Sequence, residues 1–287
     1  MLPLHTIILS FFAAAAWAAC NGHNELCSRK YSEITFIGTH NSAFVGKGPS
    51  HNQYVSVTKQ LDLGVRFLQA QTQDKNGHIQ MCHTACWLLD AGPLENYLAE
   101  ISKWMAKNPD EVVTLLLTNR DAIAIEKFDN AFNSTGLKPF VFRPEKKLAL
   151  NEWPTLQELL DNGTRLLVFM DFNMDESKVD YILNEFDYYW ETPFGVTNPS
   201  FPTCEVDRPK NGNPAKLMGM MNHMLNDKVF DIVIPNQRDA KKTNSAKSIQ
   251  GQVALCKGKW SKTPNVVLLD WVNVGDAMKV QLTLNGL

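Results

Sequence analysis

Two histidines, His40 and His83, each follow directly on a short apolar run, residues 34–39 and 79–82. Imidazole titrates near neutrality, so such a pair can take a proton from an attacking hydroxyl and hand one to a leaving oxygen, as phosphodiester transfer requires. Asp270 closes a third run and is suited to hold one imidazole in the right tautomer. His23, His51, His78 and His223 lack comparable placement and read as structural or solvated. No His-x-x-x-His or His-x-His spacing points to a paired-histidine metal site.

Positioning these groups requires a scaffold, and the hydrophobic pattern describes one. Residues 34–39, 65–71, 112–118, 165–171 and 266–270 are short apolar runs rich in β-branched side chains, which read as buried strands. Between them lie helical patterns. In residues 94–106 the apolar positions Leu94, Tyr97, Leu98, Ile101, Trp104 and Met105 recur at three and four, and residues 156–160 form a shorter case. Strand alternating with helix implies a parallel sheet with crossover helices. At this length a single-domain (β/α) barrel of TIM-like type, regular or distorted, is favoured over a doubly wound sheet.

Ligands of such folds gather at the carboxyl ends of the strands. Those ends supply Asn41, Gln69, Gln71, Asn119, Arg120 and Asp171 as substrate-binding candidates, Arg120 reading equally as a cation for a phosphate and as a solvent-exposed or ion-paired residue. Arg66 reads as structural. Residues 192–214 carry five prolines and read as a long loop, a functional cover or a surface excursion rather than a domain boundary. Trp87, Trp190, Trp260 and Trp271 could contact a lipid or sugar, but large aromatics in a barrel more often belong to the core.

Residues 7–19 are an apolar run ending in small side chains, with Ala16-Trp17-Ala18 as a cleavage pattern. The run is shorter than the roughly 20 residues that cross a bilayer. Residues 1–18 therefore read as a signal peptide and 19–287 as one secreted, extracellular domain without a transmembrane span. Six cysteines, Cys20, Cys27, Cys82, Cys86, Cys204 and Cys256, suit an oxidising compartment. Proximity favours pairing them in that order, although other pairings remain open. Asn133 and Asn162 begin glycosylation sequons. A net charge of −2 without basic runs argues against nucleic acid and against strong electrostatic attachment to anionic membranes. A small phosphodiester or lipid head group is the expected partner, with transient contact at a membrane surface.

The ordered set Phe36-Ile37-Gly38-Thr39-His40-Asn41-Ser42-Ala43, Gly64-Val65-Arg66-Phe67, Cys82-His83 and Leu268-Leu269-Asp270-Trp271 resembles the phosphatidylinositol-specific phospholipase C X-domain superfamily, most closely its secreted fungal members. The resemblance implies a distorted or incomplete (β/α) barrel. It also implies His40 as the base that deprotonates the inositol 2-hydroxyl, His83 as the acid that protonates the departing glycerol oxygen, and Asp270 as the support of the base. Calcium-dependent members carry an asparagine like Asn41 but acidic ligands where this chain has Gln69 and Gln71, and a hard cation prefers carboxylates. Metal-independent members place an arginine at the position of Gln71. The element that stabilises phosphate charge is therefore not identified by the resemblance, and the cofactor is left open. Two alternatives follow: a barrel that binds without efficient chemistry, or an enzyme acting on another small metabolite.

Overall fold

The computed structural model describes residues 19–230 and 232–287; the expected signal peptide, residues 1–18, lies outside the described residues. Twelve strands are present among them: β1 (Phe36–Thr39), β2 (Phe67–Lys75), β3 (His78–Cys82), β4 (Asp90–Pro93), β5 (Val113–Asn119), β6 (Leu166–Met170), β7 (Ile182–Asn184), β8 (Tyr189–Glu191), β9 (Met218–Asn222), β10 (Asn226–Val229), β11 (Ile232–Pro235) and β12 (Val266–Leu269). The α-helices are α1 (Asn24–Cys27), α2 (Val57–Asp62), α3 (Leu94–Lys107), α4 (Ile125–Ser134), α5 (Leu156–Asp161), α6 (Glu185–Tyr188), α7 (Ala240–Thr243), α8 (Ala246–Trp260) and α9 (Ala277–Leu284).

Eight strands form one parallel sheet in the order β7-β6-β5-β2-β1-β12-β9-β8. Its two end strands, β7 and β8, are joined in the chain by the single turn of α6. A four-residue helix rises only about 6 Å, so the ends of the sheet must lie close together and the sheet must curl. The result is the expected TIM-like barrel in distorted form, with chain rather than a ladder linking its ends.

The pleat sorts side chains to the two faces of this curl. Phe36, Phe67, Leu116, Leu167, Phe169, Met218, Met220, Val266 and Leu268 form one buried cluster inside the curl. Their strand neighbours Ile37, Leu68, Leu115, Val168, Val267 and Leu269 join Leu98, Ile101, Phe128 and Val253 of the outer helices in a second cluster. Tyr31 closes the floor, its hydroxyl bonded to Thr114 Oγ1 and the Tyr189 hydroxyl at 2.9 and 2.8 Å. Gly38 lies beneath His40 on the inner face. A Cβ there would stand 2.7 Å from Leu268 Cδ2, so close strand approach requires glycine.

Several features differ from the sequence pattern, in which β4, β7, β8 and β9 have no counterpart. The run at 79–82 is not a barrel strand: β3 pairs antiparallel with β2 and with β4, forming an excursion from the barrel mouth. Strand β2 continues to Lys75, so Gln69 and Gln71 lie within it rather than at its end. A hairpin, β10–β11, follows β9 and was not anticipated. The cysteines pair as Cys20–Cys27, Cys82–Cys86 and Cys204–Cys256. Arg66 is buried against Glu111 at 2.7 Å and caps the carbonyls of Leu61 and Val65. Trp190 and Trp271 are buried, Trp260 is half-buried, and Trp87 is exposed, contrary to a core role for all four.

Candidate active site

Parallel pairing of β1 with β12 aligns Gly38 with Leu268 and Thr39 with Leu269, so the next residues, His40 and Asp270, emerge side by side. His40 Nδ1 and Asp270 Oδ1 are 2.8 Å apart. A carboxylate accepts, so Nδ1 carries the proton and Nε2 keeps its lone pair for the cavity.

The segment Ser50–Gln53 ties this pair to its surroundings. Asn52 Nδ2 donates to the same Asp270 Oδ1 at 3.0 Å, and Gln53 Nε2 donates to the carbonyls of His40 and Leu269 at 2.8 and 3.1 Å. Both side chains are fully buried. The Ser50 carbonyl lies 3.0 Å from His83 Nδ1, which makes that nitrogen a donor and leaves Nε2 as the unprotonated atom of the neutral second imidazole as well. His83 stacks on Phe44 with ring centroids 5.3 Å apart. Burial first, then the neighbouring His40, holds the His83 pKa below its ordinary 6.5. The loop that carries it is closed by the Cys82–Cys86 disulfide, and Thr84 within that loop sits at φ 64°, a left-handed conformation unusual for a β-branched residue.

A cavity of about 760 Å³ opens at the carboxyl ends of the strands. That volume lies within the range of small-molecule sites. His40, Gln69, Gln71, Arg120 and Asp171 line it; His83 is not among the lining residues, although its neighbour Thr84 is. Asn119 does not. Counting along β5 from inward Leu116 puts Thr118 and Arg120 inside and Asn119 outside, where its amide bonds the Ile123 backbone at 2.8 and 2.9 Å. Its expected substrate role is therefore replaced by a structural one. Asn41 is also withdrawn from the cavity, buried at φ 50° with Nδ2 3.2 Å from Asn52 Oδ1.

The residues do not fit a calcium site. Gln69 Oε1 already accepts the Asn41 backbone N–H at 2.7 Å, and no group of three or more His, Cys, Asp or Glu that could hold a metal ion occurs among the described residues.

Sequence reasoning missed the polar wall opposite His40. Glu185, which directly follows β7, and Glu191, which ends β8, line the cavity with Asp171, Asn222 and Arg208. Arg208 comes from the proline-rich segment, whose backbone bridges back to Glu191. Its Nη2 is 2.7 Å from Glu191 Oε2, and the guanidinium lies over the Phe194 ring at 5.0 Å. Burial pushes the Asp171 carboxyl up to about 6 and, with the adjoining Glu191 charge, raises fully buried Glu185 well above its ordinary value. Arg208 is thus already neutralised by carboxylates. Arg120, two strands from His40 and exposed at the rim, makes no ion pair among the described residues.

The family model described as PI-PLC X 1 matches residues 26–285. The chain belongs to the PI-PLC X family. Among similar PI-PLC X proteins is the "PI-PLC X domain-containing protein 1" of Arthroderma benhamiae, 49% identical over 100% of this chain and 95% of the relative. An "Uncharacterized secreted protein" of the same fungus is 41% identical over 90% of this chain and 61% of its own length. The PI-PLC X fold is shared with phosphatidylinositol-specific phospholipase C from Listeria monocytogenes (TM-score 0.59, 15% identity, 92% of this chain and 97% of that one). A variant of the Staphylococcus aureus enzyme of the same name gives a TM-score of 0.61 at 12% identity, covering 90% and 93%.

Proposed function

We propose that this protein is a secreted phosphodiesterase of phospholipase C type, with His40 as general base and His83 as general acid. The observation that carries this reading is the pair of imidazoles whose Nδ1 atoms are both occupied, by Asp270 and by the Ser50 carbonyl, so that each presents Nε2 for proton transfer. His40 withdraws the proton of an attacking substrate hydroxyl; the oxygen forms a bond to phosphorus, and the departing oxygen takes its proton from His83. Asp270 stabilises the imidazolium formed on His40. Arg120, unpaired and at the rim, is the residue to balance phosphate charge.

Hydroxyl-rich head groups suit the opposite wall, where Asp171, Glu191, Asn222 and Arg208 offer both acceptors and donors. An inositol-type phosphodiester meets both halves of the cavity. Disulfide pairing of all six cysteines and the secreted designation of a relative support an extracellular location, reached through the leader at residues 1–18. Asn133 and Asn162 are exposed and are the proposed glycosylation sites.

The test is hydrolysis of phosphatidylinositol and of a soluble inositol phosphodiester by the oxidised mature chain, with and without chelator. Turnover that persists in chelator and disappears in both His40→Ala and His83→Ala is the expected result. Ligand retention without turnover would move the reading to a binding barrel, and turnover of another metabolite alone to a different substrate class.

A further inference from the structure

His51, which the sequence reads as structural or solvated, lies between the two residues that orient both imidazoles of the site. On one side the Ser50 carbonyl meets His83 Nδ1, and on the other the Asn52 amide donates to Asp270 Oδ1, each at 3.0 Å. The His51 ring is packed into the loop that carries it. A Cβ on Gly46 would stand 2.5 Å from the ring Nε2 and closer still to Cδ2; one on Gly48 would stand 2.8 Å from Nδ1 and 3.0 Å from Cε1. Those two ring atoms are all that a Cβ on Gly48 would meet within 4 Å, its chain neighbours aside. Neither glycine has a left-handed φ, so the missing side chains provide clearance for the imidazole rather than an unusual backbone.

The backbone around the ring is pinned at successive peptides. His51 N–H donates to the Gly48 carbonyl at 3.1 Å, and the Ser50 carbonyl belongs to the same planar unit, so the direction of one sets the direction of the other. Asn52 N–H and Gln53 N–H both donate to the Phe44 carbonyl at 3.1 Å, and Gly46 N–H donates to the Gln53 carbonyl at 2.8 Å. Phe44 also supplies the ring on which His83 stacks. Nδ1 of His51 is buried with no hydrogen-bond partner among the described residues, so contact with the two glycines, not a polar bond at that nitrogen, keeps the ring in place.

We infer that His51 is a positioning residue for the site: its ring, seated on Gly46 and Gly48, fixes the loop so that Ser50 directs His83 while Asn52 holds Asp270. The inference rests on the phosphodiesterase reading for the use made of the two imidazoles, not for their orientation. One wedge thereby sets groups from distant parts of the chain, His83 after β3 and Asp270 after β12. Without the ring the loop would enclose a void beside two glycines, the residues with the most backbone freedom to regain. The Ser50 peptide could then turn its carbonyl away from His83.

The experiment compares His51→Ala, Gly48→Ala and the double variant with wild type, as oxidised chains, by nuclear magnetic resonance of isotopically labelled histidine nitrogens. The His83 signals, identified by their absence from His83→Ala, are read at about pH 8, where an imidazole of lowered pKa is neutral. Wild type is expected to show the proton on Nδ1, and His51→Ala a mixture of both tautomers. In His51→Ala, kcat on a soluble inositol phosphodiester should fall about tenfold with KM unchanged, as for one lost hydrogen bond. Gly48→Ala should show the same two effects, because its Cβ meets only the ring, and should add nothing in the double variant, where the ring is gone. The assignment is overturned if His51→Ala keeps the wild-type tautomer, if its only effect is a lower thermal midpoint, or if Gly48→Ala adds its full cost in the double variant. A chain that turns over no phosphodiester yet shows the tautomer change keeps His51 as the residue that sets the loop and removes only the reading of the chemistry.

Discussion

Asn52 and His40 donate to one and the same oxygen of Asp270, at 3.0 and 2.8 Å. A carboxylate held by two donors cannot rotate away from the imidazole, and the amide that holds it is itself held by Asn41 at 3.2 Å.

Replacing Asn52 by Ala therefore loosens Asp270 without touching the cavity. A hydrogen bond to a charged group contributes about 1.5–3 kcal/mol, so kcat is expected to fall by about ten- to hundredfold with KM little changed. Steady-state kinetics on a soluble phosphodiester check this. An equal rise in KM would assign Asn52 to binding instead.

His83 must be protonated to act as an acid, and burial followed by the His40 neighbour lowers its pKa from 6.5. The protonated fraction falls as pH rises through that lowered value. For the free protein, kcat/KM is expected to decline with pH from a point below 6.5, and a bound anionic phosphate should move the corresponding limb of kcat upward. A kcat/KM plateau extending through pH 8 would exclude His83 as the acid.

The Cys82–Cys86 disulfide encloses His83 and holds Thr84 at φ 64°. Cross-linking so short a loop constrains the unfolded chain by about 2 kcal/mol in the entropic model. Exchanging both cysteines for serine is expected to lower the thermal midpoint modestly and the turnover severely, since His83 loses its fixed loop. Circular dichroism would show the fold retained. Turnover equal to wild type would mean that the Ser50 contact alone positions the imidazole.

Glu185 is fully buried, and burial, then the Glu191 charge, raises its pKa above 4.5. A raised carboxyl destabilises the fold at pH above its unfolded value, and the cost vanishes below it. Glu185→Gln removes that cost. The variant should melt higher at neutral pH, by about 3 °C for each kcal/mol gained, and the advantage should disappear as pH falls below 4.5. Melting scans at both pH values test the sign.

Five of the eight barrel strands were legible because each is a short, buried apolar run ended by a conspicuous polar residue; β7 and β8, three residues each, and methionine-rich β9 were too short or too poor in β-branched side chains to stand out. That is how His40, Asp171 and Asp270 could be found. The same pattern misleads about facing. Asn119 ends β5 as visibly as Arg120 follows it, but only the count from Leu116 separates inside from outside. Residues contributed by irregular chain left no periodic trace. Asn52 and Gln53 sit in a loop, and Arg208 in a proline-rich segment whose path back to Glu191 depends on tertiary contacts. The run at 79–82 looked like a barrel strand because apolar content does not encode pairing direction. The β10–β11 hairpin escaped for the opposite reason: its apolar residues face solvent, so a search for core strands assigns them nowhere.

The bond between His40 and Asp270 spans 230 positions of the chain. Contacts of such long range form late, because the intervening loop entropy must be overcome before they contribute. A nascent polypeptide contains His40 early but cannot align it until β12 has emerged and inserted between β1 and β9. During biosynthesis the pairing of His40 with Asp270 is thus absent from every chain still shorter than Asp270.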